Sequence, residues 1–392
     1  MGLGRFVIFP LLALAPLRAP AQTPLALDEL LFDSNRSGHF EIYAMRLDGS
    51  NVRPLTGDVS RDSWWARLSP DRRQILFYRT PAGVHDTDYS QTALWMMDAD
   101  GANLRLLRTV GAGGWTLQGH GEWSPDGTRL VMFGGPGAPQ LYLTDLNGAN
   151  PTPVTTGLPL ALDPSWAPDG RTLYFAGCPA TPCTAVDYEI YRVAAAGGAP
   201  TRLTINPLVD NDPYVSPDGM RIAWLEQTDA SAWGGAGRWG DLVMPAGGGA
   251  VTTVIDDGQI NSKPQWSTGG DEIFFHRLAP APGARWSIYR TRPDGGGLAA
   301  IDPAAAGDNE FPSTGAGGIP VGLVLGKSAG DPQAPVLLWF GGGAPYRVFS
   351  GGPCVNAYAN QRATLSATNW TDPAPPPLAL TCYVVLAGAP AP

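Results

Sequence analysis

Five residues of unlike chemistry stand at one fixed step in this sequence. Trp65, His120, Asp163, Asp212 and Lys263 each lie four residues before the Ser or Ala of a recurring phrase. Asp62, Asp210, Asn261, Asp308 and Glu310 fall close by. Carboxylates grouped with a His hold a divalent cation such as calcium, or a polar ligand. An Asp before Pro also caps a turn through its own backbone, a use that asks for no ligand. The expected ligand-binding set is His120, Asp163, Asp212, Lys263 and Glu310. No resident cofactor is expected, and whether a metal binds stays open.

Other candidates are weaker. His39 and the run His85-Asp86-Thr87-Asp88 sit in loop-like stretches, and Trp233 and Trp239 in another, Asp229–Gly240. Aromatic rings with polar groups suit a sugar or peptide reader, although a Trp also serves to fill a groove between packed sheets. Gly326-Lys327-Ser328-Ala329-Gly330 matches the pattern of a nucleophile elbow. An elbow runs into a helix, yet Asp331-Pro332 follows, and no His comes after His276 to complete a triad. Gly111-Ala112-Gly113-Gly114 opens no helix and is no phosphate loop. No catalytic residue is expected.

The elements that position these residues are read from the phrase itself. Its copies are Leu68-Ser69-Pro70-Asp71, Trp123-Ser124-Pro125-Asp126-Gly127, Trp166-Ala167-Pro168-Asp169-Gly170 and Val215-Ser216-Pro217-Asp218-Gly219. Worn copies follow at Trp266–Gly270 and Phe311–Gly315. The first five copies are 55, 43, 49 and 51 residues apart, a spacing that marks structural repeats. After each comes a short apolar strand, a variable loop, a second strand and an Asn-Gly or Asp-Gly turn of the hairpin kind. With 50 Gly and 39 Pro the chain excludes long helices, while 37 aromatic residues provide a core. The expected fold is therefore all-β: a β-propeller of four-stranded antiparallel blades. Seven blades are favoured, the seventh ending near residue 350 and the ring closing through Leu378–Leu386. Six is the alternative, with Phe311–Thr314 closing the ring. Pro-Asp-Gly turns then lie on one face of the disc, and long variable loops, where binding usually lives, on the other. The segments that hold the expected ligand set lead into the innermost strands on that variable face and are expected to ring the mouth of the central channel.

These repeats resemble those of TolB-type, WD-repeat-like propellers. Glu41-Ile42-Tyr43-Ala44-Met45-Arg46-Leu47-Asp48-Gly49 followed by Pro54-Leu55-Thr56 is a nearly full match, and the resemblance spans roughly residues 30–350. It implies the propeller fold and a binding role more than any chemistry.

Arg5, the apolar run Phe6–Leu14 and Ala19-Pro20-Ala21 read as a signal peptide over residues 1–21, cleaved before Gln22. Export agrees with four Cys: Cys178–Cys183 and Cys354–Cys382 is one of three possible pairings. No later apolar run is long enough to span a membrane. Twenty-six basic against 35 acidic residues, net −9, argue against nucleic acid. Asn35 and Asn369 head glycosylation acceptor patterns, relevant only in a eukaryotic secretory host. The expectation is a periplasmic or secreted, monomeric, non-enzymatic propeller whose variable face binds a protein or a cell-envelope glycan. The alternative is a propeller lyase or hydrolase acting on an acidic oligosaccharide.

Overall fold

The computed structural model describes residues 23–154, 156–180, 183, 188–227, 238–279, 283–302 and 307–315, and the backbone of six strands between 324 and 387. The signal-peptide segment 1–21, Trp233, Cys354 and the side chains beyond 315 lie outside the described residues.

Inner strands end at the recurring phrase, and where it carries a Ser that hydroxyl builds the next turn. The Ser69 hydroxyl donates to Asp71 at 2.7 Å and accepts the Gln74 N–H at 2.9 Å; Ser124 does the same with Asp126 and the Arg129 N–H. Antiparallel meanders of four strands result. Four stand as separate sheets, such as Arg61–Leu68, Gln74–Pro81, Ala93–Asp98 and Arg105–Thr109. Two further meanders, within 210–255 and 260–300, are fused into one eight-stranded sheet by a single parallel bridge between Trp239 and Ile260. The fold is an all-β propeller of four-stranded antiparallel blades. Its sheets are not the seven separate blades expected, nor six, because only four stand alone.

Ring closure also differs from the favoured expectation. The first sheet, Glu29–Ser34, Glu41–Arg46 and Arg53–Pro54, takes Asn309–Ser313 as its inner strand, with Leu31 opposite Ser313 and Ser34 opposite Asn309. The reason lies in the worn phrase Phe311–Gly315. It keeps the inner-strand pattern but lacks the Asp that turns the chain into a second strand, so it closes a blade instead of opening one. Cys382–Ala387, expected to close the ring, pairs instead with Tyr346–Gly351. The end of the ring thus moves from residue 350 to 313, and the later strands form two three-stranded sheets.

The core sits between neighbouring blades. Trp64, Tyr78, Met96 and Met132 share one buried cluster, and Tyr174, Ile190, Trp224 and Leu242 another. Blades are also latched by indole donors: Trp123 Nε1 donates to the Arg67 carbonyl at 3.1 Å and Trp266 Nε1 to that of Tyr214 at 2.9 Å. Cys178 and Cys183 are bonded, with Cα atoms 5.9 Å apart.

Candidate functional site

Every inner strand breaks register at the same place, and that break builds the site. The pairing shifts between Trp64 and Arg67, Gly119 and Glu122, Leu162 and Ser165, Asn211 and Tyr214, and Ser262 and Gln265. At each bulge one residue takes left-handed backbone: Trp65, His120, Asp163, Asp212, Lys263 and, in the closing strand, Phe311, with φ between 45° and 59°. A bulge re-aims a side chain. Ala66, Gly121 or a Pro (164, 213, 264, 312) follows, and Pro suits a bulge because it has no N–H to pair.

Two expectations change here. The five residues lie inside the inner strands and not in segments leading into them, so they meet across the axis and not at its mouth. The sixth member of the set is Phe311, not Glu310. The repeated residue-Pro step, shared by Lys263-Pro264 and Phe311-Pro312, is the signal that identifies it.

Contacts run all the way round. Trp65 stacks on His120 with centroids 3.6 Å apart. His120 Nδ1 bonds the Asp163 carboxylate, and one ligand atom each of His120, Asp163 and Asp212 lie within 4.8 Å of one another. Lys263 Nζ is 2.8 Å from Asp212 and lies over Trp65 and Phe311, at 5.0 and 5.6 Å from their ring centres. Trp65 and Phe311 close the circle at 5.4 Å. Trp65, His120, Asp163, Asp212 and Phe311 are buried, and Lys263 keeps 12% of its side chain exposed. Burial alone would lower the His120 pKa, but the Asp163 carboxylate raises it overall. Burial raises Asp212 to about 6 against the pull of Lys263. Lys263 stays charged because Asp212, Asp86 and Asp163 outweigh its desolvation. One step along the strands lies a second satisfied set: Arg67 pairs with Glu122 and donates to the Tyr214 hydroxyl at 2.7 Å, beside a cavity of about 60 Å³.

The mouth on the loop face is built differently. The loop between Gln74–Pro81 and Ala93–Asp98 reaches over the axis. Its His85 stacks on Phe40 at 3.5 Å and bonds Asp33 at 2.6 Å. Its Asp86 accepts the Tyr89 hydroxyl at 2.6 Å and lies 3.5 Å from His120 Nε2. Asp62 accepts the N–H groups of Phe40 and Gly83, and Asp308 those of Asn35 and Trp286, so both tie loops together. Between these walls opens a cleft of about 520 Å³ lined by His39, Phe40, Asp62, His85, Trp286 and Glu310. The Glu310 backbone pairs with Asp33 in the sheet, but its carboxylate has no hydrogen bond or ion pair among the described residues. Burial, and then the neighbouring Asp33, Asp86 and Asp308, raise it to about 8 against the opposing pull of His85. His85 itself is raised to about 9; burial would lower it, but the bond to Asp33 and the Glu310 charge prevail.

The remaining candidates have structural uses. His39 bonds Glu41 at 2.6 Å, and His276 Nδ1 accepts the Phe311 N–H at 3.0 Å. Trp239 was expected in a loop but begins the strand Trp239–Pro245. The sequence reading named Asp86 with its loop but missed Tyr89 and Phe40 at the mouth, because loop residues carry no periodic signal.

No family model matches the chain. An uncharacterised protein of Agrobacterium fabrum is 28% identical over 201 residues, 49% of this chain and 64% of that protein. A TolB homologue of Chlorobium chlorochromatii is 30% identical over 150 residues, 38% of this chain and 30% of its own length. Among solved structures, TolB from Acinetobacter baumannii aligns with TM-score 0.59 at 17% identity, covering 73% of this chain and 66% of its own. The chain is a TolB-type β-propeller. It spans under two thirds of the two relatives, and the structural likeness concerns the fold. Among the described residues, no helix of this TolB-type chain is long and apolar enough to cross a membrane.

Proposed function

We propose that this TolB-type propeller is an exported, non-catalytic scaffold whose loop face binds a protein or a cell-envelope glycan in the cleft around Glu310. One observation carries the reading: Glu310 is an open carboxylate between the aromatic walls Phe40 and Trp286, in a mouth whose other ionisable groups are already paired. His120, Asp163, Asp212 and Lys263 act as the floor of the cleft. The cation expected among those carboxylates is then supplied by the chain itself, through Lys263 and His120. All four His are engaged, by Glu41, Asp33, Asp163 and the Phe311 N–H, which speaks against a lyase or hydrolase centre. A uronate substrate also needs a basic pocket, and this one is acidic. The 1–21 pattern and the likeness to TolB homologues support a periplasmic or secreted protein.

The test is retention of envelope extract on the immobilised protein. A component held by wild type and by Asp126→Ala on the opposite face, but lost with Glu310→Lys and Phe40→Ala, is the expected result. Its sensitivity to protease or to glycan hydrolases separates the two ligand classes. Equal retention by all variants rejects the assignment.

A further inference from the structure

The seam between the two fused meanders holds a set of polar atoms that the binding face does not use. Asp241 is wholly buried, and both its carboxylate oxygens lack a partner among the described residues. The Oδ1 atoms of Asn211 and Asn261, side chains 5% and 0% exposed, lack one too. These are four acceptors with no donor among them.

Their placement follows from the register. Asn211 and Asp241 lie in one cross-strand row with Leu225 between them, so their side chains share a blade face. Asn261 comes from the neighbouring meander, and its Nδ2 donates to the Trp239 carbonyl at 3.2 Å, two residues before Asp241. A carbonyl only accepts, so that bond fixes which end of the Asn261 amide is oxygen. Asp212 is the one charge acting on Asp241, and it already faces Lys263. The single parallel bridge, Trp239 to Ile260, stitches the blades at this point.

An orphaned buried carboxylate is costly, and amide oxygens without donors add to that cost. We propose that the seam binds a hard, oxygen-preferring cation, held by the Asp241 carboxylate with the amide oxygens of Asn261 and Asn211. Carboxylate and amide oxygens without sulfur or imidazole are the donor set of calcium, magnesium or sodium, not of zinc or copper. The site is independent of the cleft at Glu310 and of the ring across the axis.

The experiment is a melt of the full chain after chelation, with calcium chloride, sodium chloride or potassium chloride added back, alongside terbium luminescence sensitised by Trp. Calcium is expected to raise the wild-type midpoint by about 3–5 °C, with terbium saturating at one ion per chain. Asp241→Asn abolishes both, whereas Asp163→Asn, in the ring, keeps both. Asn211→Asp, which adds a carboxylate, lowers the calcium concentration needed by roughly tenfold and serves if Asp241→Asn does not fold. A sodium or potassium shift lost in Asp241→Asn supports the same site with a monovalent ion. No shift with any cation, together with a higher midpoint for Asp241→Asn, overturns the proposal in favour of a neutral carboxylic acid. A calcium shift that survives in Asp241→Asn overturns it as well, since the ion then binds elsewhere.

Discussion

The ring across the axis and the mouth above it contain the same kinds of residue in opposite conditions. In the ring, His120 faces Asp163 and Lys263 faces Asp212, while Trp65 and Phe311 cover the gap. At the mouth, Asp33 has His85, but the Glu310 carboxylate has no partner among the described residues. Buried charge is stable when paired and is a liability when it is not. The ring therefore behaves as structure, and the unpaired Glu310 at the mouth is where we propose that a ligand binds.

That contrast can be broken most strongly at Lys263. Lys263→Met leaves Asp212 buried without its cation and is expected to lower stability by about 3–5 kcal/mol. Adding Asp212→Asn should restore more than half of the loss, as read by urea unfolding at pH 7. A single variant as stable as wild type denies that the ring is a paired unit.

The mouth should show a pH signature of its own, centred on His85. His85 has its folded-state pKa raised to about 9, above its unfolded value near 6.5. Its contribution is thus complete below pH 6.5 and disappears as pH rises through about 9. Stability is expected to fall by about 3 kcal/mol across that window, and His85→Gln should flatten the fall. An unchanged pH profile in the variant assigns the slope elsewhere.

A smaller effect separates both regions from the scaffold. Ser124→Ala removes the hydroxyl that joins Asp126 to the Arg129 N–H, and should cost about 1 kcal/mol without altering ligand retention. Loss of retention in this variant would extend the binding surface to the opposite face.

Much of the scaffold was legible because its signals are local. Ser-Pro-Asp-Gly is a turn with its own hydrogen bonds, and it recurs where the fold repeats. The ring positions followed from one step before that turn, and the structure brings His120, Asp163, Asp212 and Lys263 together. What failed was the end of the ring, since Phe311-Pro312 and Leu378–Leu386 both read as strands and only pairing distinguishes them. Glu310 was chosen for its charge, but its neighbour Phe311 holds the ring position. Phe40 and Asp241 were invisible because loop insertion and packing between blades leave no spacing to read.

The most direct test of the contrast sets two neutralisations side by side at pH 8.5. Ionised Glu310 is a burden that grows as pH rises from about 4.5, its unfolded value, to about 8, and stays constant above. Glu310→Gln should therefore be near neutral at pH 4.5 and stabilise by up to about 5 kcal/mol at pH 8.5. Asp163→Asn with Asp212→Asn removes the partners of His120 and Lys263 and should destabilise by about 3 kcal/mol at the same pH. Urea unfolding that finds these opposite signs supports a satisfied ring beneath an open mouth. A stabilised ring variant, or a Glu310→Gln protein weaker than wild type at pH 8.5, contradicts it.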